Sequence, residues 1–236
     1  MDKETIAEIE RITQHKFRKR RLLEVAFTHS SAVDNRLISN ERLEFLGDAV
    51  FGFIICEALY RRFEDYLEGD LTKLKSTLVS RRTCAEVVKK LNLHKLLKIG
   101  KGMTGSRSVG GSLAAGLFEA LVAVLYLDGG LEAARRFVLS QFEPLIEQTD
   151  AKYSQDNFKS LLQQYAQQHF GATPAYVLLD EKGPDHDKCF EVQVVIGTQY
   201  FDSAWGTNKK QAEQKAALNA LVALRVLRPQ DVQPQQ

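Results

Sequence analysis

Three carboxylates stand close together in the segment from residue 40 to residue 50, at Glu41, Glu44 and Asp48. On a helix, at about 100° per residue, they fall within roughly 60° of one another. The opposite side of that helix is apolar and carries Leu43, Leu46, Val50, Phe53 and Ile54. Because like charges three or four positions apart repel by only about 0.2–0.5 kcal/mol per pair, an ordinary solvated face can hold such a group. The alternative is that a cation sits near the three acids.

Two further residues favour a cation. Phe45 lies on the carboxylate side, where a solvated face does not need a large aromatic, so we expect something apolar to cover it. Glu119 stands within Leu113 to Leu127, a run made almost entirely of Ala, Leu, Val and Phe that should form the central buried helix. A buried carboxylate needs a cation, a hydrogen-bond network or an opening to solvent. A metal ion shared with the acidic helix would meet that need.

The elements that position these residues are helices. Apolar periodicity predicts helices over 4–26, 41–62, 71–91, 93–98, 113–127 and 131–147. Glycines at 129 and 130 end the central helix through C-cap chemistry, Pro144 could kink the last helix, and Glu68 is placed on a connecting loop. The basic run 16–21 fits a solvated helix end or loop, or an RNA contact.

The composition is that of an ordinary soluble globular protein, with 44% apolar and 26% charged residues among 236. A net charge of +2 does not indicate a nucleic-acid partner, so any such surface must be local. Three distant cysteines, Cys56, Cys84 and Cys189, predict reduced core thiols in a cytoplasmic compartment. The charged N-terminus is unlike a signal peptide and the longest apolar run is shorter than a bilayer span, so no membrane partner is expected.

Beyond residue 148 the pattern changes class. Residues 149–155 are polar and aperiodic, as in a linker, and residues 228–236 form a Pro/Gln tail predicted to be disordered. Between them, 156–227 predict a small α-β-β-β-α domain with helices over 158–170 and 210–227 and strands over 175–179, 189–196 and 199–205. Lys209, Lys210 and Lys215 surround a helix N-terminus, which favours phosphate; a solvated helix start fits equally well.

Both halves resemble ribonuclease III. The segment from Asn40 to Val50 looks like that family's signature stretch, and Gly116-Leu117-Phe118-Glu119-Ala120 corresponds to its second acidic motif, Asp-x-x-Phe-Glu-Ala. The C-terminal half resembles a double-stranded-RNA-binding domain through Gly183-Pro184-Asp185-His186 and through Lys209 to Gln214. The resemblance implies an all-α endonuclease domain over 1–148 that forms a homodimer, followed by a small α+β domain that binds double-stranded RNA.

The resemblance also implies roles for individual residues. Glu44, Asp48 and Glu119 would bind Mg²⁺, or Mn²⁺ in its place, with Glu41 and Glu68 lining the same catalytic valley. Phe45 would plug into the partner subunit of the dimer. The residues implied in RNA binding are Ser160, Gln163, Gln164 and Gln167 for one minor groove, His186 for the next, and Lys209 and Lys210 for the phosphates between them.

One position departs from the family pattern. Gly116 stands where an aspartate is expected three residues before Glu119, and glycine supplies no ligand. The expected function is a cytoplasmic, metal-dependent endoribonuclease that cuts double-stranded RNA to 5′-phosphate and 3′-hydroxyl ends, in processing of ribosomal and other structured RNA precursors. The alternatives are an RNA-binding protein whose cleavage is impaired or lost, and a structural dimer within a ribonucleoprotein. Both rest on Gly116.

Overall fold

The computed structural model describes residues 1–64, 66–100, 111–155, 157–184 and 188–227, without the side chains of 151–155. The chain divides into two compact units, Met1–Thr149 and Asp150–Gln236. The first unit is helical. Its helices are α1 (Lys3–Thr13), α2 (Arg20–Ala26), α3 (Glu41–Arg62), α4 (Glu68–Leu78), α5 (Arg81–Lys90) and most of α6 (Gly111–Gln155), whose residues 150–155 belong to the second unit, with 3₁₀ turns at Ser30–Ala32, Arg36–Ile38 and Leu93–Leu96.

Helix α6 is the centre of the first unit, as its composition predicts. Its residues 114–125 are all buried, and Phe118 contacts Phe51 of α3 edge to face, with ring centroids 5.1 Å apart. Phe142 packs on both rings, at 4.9 Å from Phe51 and 5.5 Å from Phe118. By length and apolar composition alone α6 could also cross a membrane, but most of its apolar part is buried inside the unit. That burial is typical of a core helix.

The long helix α6 contains the break that its glycines predict. Gly130 has φ +76° and ψ −179°, outside the helical region, so two helical segments meet there. Pro144, by contrast, lies within a stretch that keeps helical dihedral angles. The segment 149–155, predicted to be aperiodic, continues α6 as helix to Gln155.

The basic run 16–21 holds a helix end in place. The helix predicted over 4–26 is divided in two: residues 16–19 connect α1 to α2, and residues 20 and 21 begin α2. Asp128, which is buried at the C-terminal end of the first α6 segment, accepts hydrogen bonds from the backbone N–H groups of Arg18 and Lys19. The guanidinium of Arg18 donates to the Asp128 carbonyl at 2.6 Å, and Lys19 Nζ donates to the Leu127 carbonyl at 2.7 Å. The two basic side chains thus donate hydrogen bonds to carbonyl groups at the end of this helical segment, which have no partner within the helix.

Helices α4 and α5 replace the single helix predicted over 71–91. The chain leaves α4 at Val79, and the Ser80 side chain then accepts a hydrogen bond from the Thr83 N–H, which caps α5. A serine that can bond the backbone ahead of it favours such an N-cap over a helix interior. Glu68, expected on a loop, is the first residue of α4. The cap matters because it places Arg81 at the start of α5.

Gly47 brings α3 and α6 close together. A Cβ built on Gly47 would lie 1.7 Å from the backbone carbonyl oxygen of Glu119 and 2.4 Å from its carbonyl carbon. Real atoms do not approach so closely, and the obstacle is backbone, so a side chain at position 47 must push the two helices apart. The absence of a side chain at Gly47 therefore sets the distance between the helix that carries Glu44 and Asp48 and the helix that carries Glu119.

Replacing Gly47 with alanine should destabilise the protein despite alanine's higher helix propensity. We expect a loss of about 1–3 kcal/mol in the free energy of unfolding, as for other overpacked cores. Urea denaturation at fixed protein concentration measures it. Gly52→Ala is the matched control on α3, because a Cβ there meets nothing within 4 Å. The control should be neutral or gain about 0.5–1 kcal/mol. Equal stability of the two variants would show that the contact at Gly47 is not tight.

The second unit is a sheet packed on two helices, in the predicted order. Its elements are α7 (Phe158–Phe170), β1 (Ala175–Lys182), β2 (Cys189–Ile196), β3 (Gln199–Tyr200), β4 (Ala204–Gly206) and α8 (Lys209–Ala223). Strands β1, β3 and β4 all pair antiparallel with β2. The core lies between β2 and the two helices and includes Leu162, Ala166, Val192, Val194 and Ala217.

Three details of this unit differ from the sequence predictions. The third strand is interrupted at 201–203, where Gln193 Nε2 donates to the Phe201 carbonyl at 2.9 Å. On α7, where apolar periodicity also predicts Leu161 in the core, that side chain is 37% exposed, while Leu162 and Ala166 are buried. Helix α8 ends at Ala223, before Arg225 with φ +57°. His186, residues 101–110 and residues 228–236 lie outside the described residues.

Candidate functional site

Helices α3, α5 and α6 together line a pocket of about 590 Å³. The side chains around it are those of Glu41, Glu44, Phe45, Asp48, Val79, Arg81 and Glu119. Helix geometry puts Glu44 and Asp48 on one face of α3, and the close approach at Gly47 brings that face to Glu119. The structure thus brings together the three residues predicted to bind a metal ion.

Burial makes Glu119 an unusual carboxylate. It is only 9% exposed, and this desolvation, reinforced by the nearby charges of Glu44 and Asp48, raises its pKa to about 7. The pKa of Glu44 is also raised, mainly because burial disfavours its charged form, while Arg81 acts in the opposite direction. Two carboxylates whose charged forms are disfavoured at one place indicate a site built to receive a cation.

Glu41 lines the same pocket but is already paired. Arg36 Nε donates to Glu41 Oε2 at 2.9 Å, and the second guanidinium nitrogen donates to Glu41 Oε1. This two-pronged ion pair holds the pKa of Glu41 below its usual value. A carboxylate engaged in this way has little basicity left for a metal ion, so Glu41 is better placed to shape the rim of the pocket than to coordinate an ion.

Glu68 lies elsewhere in the subunit. Its side chain is exposed, accepts a hydrogen bond from Thr72 Oγ1 at 2.9 Å, and lines a second, apolar cavity of about 650 Å³ together with Phe53, Tyr60 and Leu71. Within one subunit the expectation that Glu68 shares a valley with Glu41 is therefore not met. Sequence alone cannot show this, because the direction of α4 relative to α3 depends on tertiary packing.

Arg81 is the pocket residue that sequence reasoning missed. It lies at the start of α5 and is the cation among the side chains that line the pocket. Its charge offsets part of the rise in the pKa values of Glu44 and Glu119, although among the described residues no carboxylate oxygen comes within 4.0 Å of it. The capping serine at position 80 is the sequence signal that could have placed Arg81 at a helix start.

The residues around the pocket fit Mg²⁺, which the family resemblance implies. Oxygen is the ligand type that Mg²⁺ prefers, and this ion keeps several waters, so it does not need a complete cage of protein ligands. Among the described residues, no three His, Cys, Asp or Glu side chains are arranged closely enough to hold an ion by themselves. At Gly116 a Cβ would lie 2.5 Å from Glu44 Oε2, in the space that the Glu44 carboxylate occupies.

Thiol chemistry plays no part in this pocket. Cys84 lies near it, and burial together with the charges of Glu119 and Asp48 raises the thiol pKa to about 12. A thiol with that pKa is not a nucleophile at neutral pH. All three cysteines are free, and Cys56 is exposed on α3, contrary to the expectation that all of them are core thiols.

Helix α3 also carries an exposed apolar strip, formed by Phe45, Phe53 and Tyr60. Their exposed fractions are 83%, 53% and 73%. The sequence places Phe53 on the buried side, but Phe51 fills the core instead. The apolar cavity that includes Glu68 lies beside this strip, because Phe53, Cys56 and Tyr60 line it. Large aromatics grouped on a surface mark an interaction site.

The second unit presents two polar features on its helices. Ser160, Gln163, Gln164 and Gln167 follow helical i, i+3, i+4 and i+7 spacing along α7, so they share a face, and Gln163 and Gln167 are exposed. Lys209 and Lys210 are exposed in the first turn of α8, whose N-cap Asn208 accepts from the Gln211 N–H. Lys215, by contrast, donates to the Trp205 carbonyl at 3.2 Å.

Comparison with known proteins covers both units. Residues 19–145 match the family described as ribonuclease-III-like, and residues 158–224 match the double-stranded RNA binding motif. The chain is 48% identical to Ribonuclease 3 of Rhodopirellula baltica over 94% of this chain and 84% of that protein. It is 40% identical to Ribonuclease 3 of Symbiobacterium thermophilum over 88% of this chain and 89% of that protein.

Solved structures agree with the helical fold of the first unit. The nuclease domain of ribonuclease III from Campylobacter jejuni superimposes with a TM-score of 0.55 at 30% identity, covering 60% of this chain and 95% of that domain. A second structure of that domain, described by the flexibility of a region involved in dimer formation, gives a TM-score of 0.53 at 30% identity and covers 58% of this chain and 99% of that domain.

Proposed function

The chain belongs to the ribonuclease III family and is a double-stranded-RNA-specific endoribonuclease; from this premise we propose that it acts with Mg²⁺, or with Mn²⁺ in its place, and leaves 5′-phosphate and 3′-hydroxyl ends. The observation that carries the proposal is the pocket in which Glu44, Asp48 and Glu119 meet. The RNAs proposed as substrates are precursors of ribosomal and other structured RNA, and the proposed location is the cytoplasm.

The proposed roles of the pocket residues follow from their contacts. Glu44, Asp48 and Glu119 would hold the metal ion, which when bound makes a water more acidic and neutralises charge on the phosphate. Glu119, with a raised pKa, must lose its proton for the ion to bind, so binding releases protons near neutral pH. Arg81, free of any ion pair shorter than 4.0 Å within the described chain, is available to the phosphate that enters the pocket.

The RNA is proposed to bind through the second unit. The α7 face made by Ser160, Gln163, Gln164 and Gln167 suits the shallow minor groove of A-form RNA, where polar side chains meet 2′-hydroxyl groups. Lys209 and Lys210 suit a phosphate, because they join the positive end of the α8 dipole. His186 belongs to the proposed surface by its motif alone, since it lies outside the described residues.

Removing the two lysines should weaken RNA binding through its electrostatic part. The slope of log affinity against log salt concentration is about −0.9 per phosphate contact, so we expect Lys209→Ala with Lys210→Ala to make it less steep by about 2. Fluorescence anisotropy with a labelled duplex, in EDTA to prevent cutting, measures this slope. Arg225→Ala is the control, since it removes a charge beyond the other end of α8. An equal change in both proteins would contradict a phosphate site at this helix start.

The exposed strip on α3 is proposed to be the homodimer interface. Phe45 is 83% exposed, and an apolar cavity of about 650 Å³ lies beside the same strip. In a twofold dimer the same surface is used by both subunits, so a protruding aromatic and a cavity on one face can satisfy each other reciprocally. The similar nuclease domain from Campylobacter jejuni has a region involved in dimer formation, which supports a dimer here as well.

The nature of the ends tests the proposed products. A cut duplex RNA with 5′-phosphate ends is a substrate for a 5′-phosphate-dependent exonuclease, whereas 5′-hydroxyl ends must first be phosphorylated by a kinase. We expect the products to be degraded without kinase treatment and to be extended by poly(A) polymerase, which needs a 3′-hydroxyl. Products that require kinase, or that resist extension until a 3′-phosphatase is added, would contradict hydrolysis in the proposed direction.

A further inference from the structure

Gly116 and Glu44 fit together across the two helices of the pocket. A Cβ built on Gly116 would lie 2.5 Å from Glu44 Oε2, 2.9 Å from Glu44 Cδ and 3.3 Å from Glu44 Oε1. All three atoms belong to the carboxylate group. The carboxylate therefore lies directly on the bare backbone of α6, in space that any other residue type at position 116 would fill.

The two glycines of the pocket make a reciprocal arrangement. Gly47 is three residues beyond Glu44 on α3, and its bare face meets the backbone of Glu119. Gly116 is three residues before Glu119 on α6, and its bare face meets the side chain of Glu44. On each helix a glycine thus stands about one turn from an acid and contacts the acidic residue of the other helix, Gly47 through the Glu119 backbone and Gly116 through the Glu44 carboxylate. Gly47 sets the distance between the helices, and Gly116 sets where the Glu44 carboxylate lies.

We infer that Gly116 is a positioning residue for metal binding: it lets the Glu44 carboxylate occupy the place where a ligand from α6 itself would otherwise stand. This inference rests on the proposed metal dependence. It explains how a site with glycine at this position keeps three carboxylates around the pocket, because the acid of α3 fills the space left by the missing side chain of α6. Gly116 is then not a gap in the site.

The inference and a simple gap predict different effects of alanine at position 116 on metal affinity. If position 116 were only a lost ligand with free space, alanine would leave metal affinity unchanged, because it adds no ligand. If the Glu44 carboxylate needs that space, alanine displaces it and weakens metal binding. The obstacle is the far end of a flexible side chain, which can rotate away, so the fold should survive the substitution. Alanine also favours a helix over glycine, so thermal stability should not fall.

The experiment measures binding of Mn²⁺ to the full-length protein in the absence of RNA, by electron paramagnetic resonance of free Mn²⁺. For Gly116→Ala we expect a dissociation constant raised about 10- to 100-fold, the usual range for residues that position a ligand. The melting temperature of the metal-free protein should equal that of the wild type or exceed it. Unchanged Mn²⁺ affinity in the folded alanine variant would overturn the inference.

A second variant separates positioning from loss of charge. Glu44→Asp keeps the carboxylate but withdraws it from Gly116 by one methylene, so we expect weaker Mn²⁺ binding. In that shortened background Gly116→Ala should change affinity by less than about threefold, because the collision is already gone. Effects that simply multiply would show that the two positions are independent and overturn the inference. Glu44→Asp with wild-type affinity would do the same, even where the alanine variant did not fold.

The same measurement keeps the inference apart from the proposed function. A wild-type protein that binds no Mn²⁺ and cuts no duplex RNA would contradict the proposed metal-dependent cleavage as a whole. A wild-type protein that binds Mn²⁺ and cuts RNA, alongside a Gly116→Ala variant that binds Mn²⁺ equally well, would overturn only the role of Gly116.

Discussion

Glu119→Gln should abolish metal-dependent cleavage of duplex RNA while making the metal-free protein more stable at pH 8. The first effect follows from the place of Glu119 in the pocket, opposite Glu44 and Asp48. Glutamine keeps the shape but not the charge that attracts a cation. Loss of a group that stabilises a transition state electrostatically typically lowers the rate by about 10²–10³-fold. Binding of duplex RNA in EDTA should be unaffected, because it depends on the second unit.

The effect on stability follows from the raised pKa of Glu119. The folded protein keeps the proton until about pH 7, whereas the unfolded chain releases it near 4.5. Between these values the folded state binds more protons, so its stability falls as pH rises through this range. At pH 8 the wild-type protein bears the whole cost of a buried, repelled carboxylate, on the order of 1–3 kcal/mol. Because glutamine does not ionise, the Glu119→Gln variant does not bear this cost.

Urea denaturation in EDTA at pH 4 and pH 8 measures this difference. We expect Glu119→Gln to match the wild type closely at pH 4 and to exceed it at pH 8. Glu143→Gln is the matched control, because Glu143 is exposed on the same helix. It should follow the wild type at both pH values. If the stability of Glu119→Gln depends on pH as that of the wild type does, Glu119 is not a buried charge at pH 8. If the variant has wild-type turnover, Glu119 is not part of the active site.

Phe45→Asp should convert the proposed homodimer to monomers. Phe45 projects from α3 with 83% of its surface exposed. Contact with a second subunit would remove this apolar surface from water. Truncating a central aromatic anchor costs about 2 kcal/mol or more, and a twofold interface contains the residue twice. The dimer should therefore lose about 4 kcal/mol, which raises its dissociation constant roughly 10³-fold. The added carboxylates would weaken it further, because a buried charge without a partner is unfavourable.

Sedimentation velocity over a range of protein concentrations measures the change. Leu161→Asp provides a control, since Leu161 is an exposed apolar residue of the second unit, outside the strip on α3. It should leave the dimer intact. Circular dichroism should show that the Phe45 variant keeps its helices, because the exposed ring contributes little to the core. A Phe45→Asp protein that remains a dimer at nanomolar concentration would refute Phe45 as the anchor.

The sequence predicts the helices that carry the site better than the contacts between them. The bounds of α3 are as predicted, and the burial of 114–125 follows directly from composition. Apolar periodicity does not show which side of an apolar-all-round helix faces the core, so it places Phe53 inside although Phe51 is the buried residue. The same limit applies to the exposed Cys56.

Tertiary packing decides the rest of the site. Glu68 separates from the pocket because α4 directs it toward the apolar cavity. Glu41 forms an ion pair with Arg36, which lies in a 3₁₀ turn. Apolar periodicity does not predict this pairing. In the sequence, Gly116 stands out only as the absence of an expected ligand, because a sequence does not show which neighbouring group occupies the space of a missing side chain. The structure shows which neighbour uses the space, and that neighbour is Glu44.

The most direct test of metal-dependent cleavage uses a long, uniformly labelled RNA duplex and the purified full-length protein, with Mg²⁺ and with EDTA. We expect short duplex fragments with Mg²⁺, intact but bound RNA in EDTA, and intact but bound RNA for Glu119→Gln under both conditions. Wild-type protein that binds the duplex in Mg²⁺ without cutting it would contradict the proposed activity and leave an RNA-binding protein that has lost cleavage.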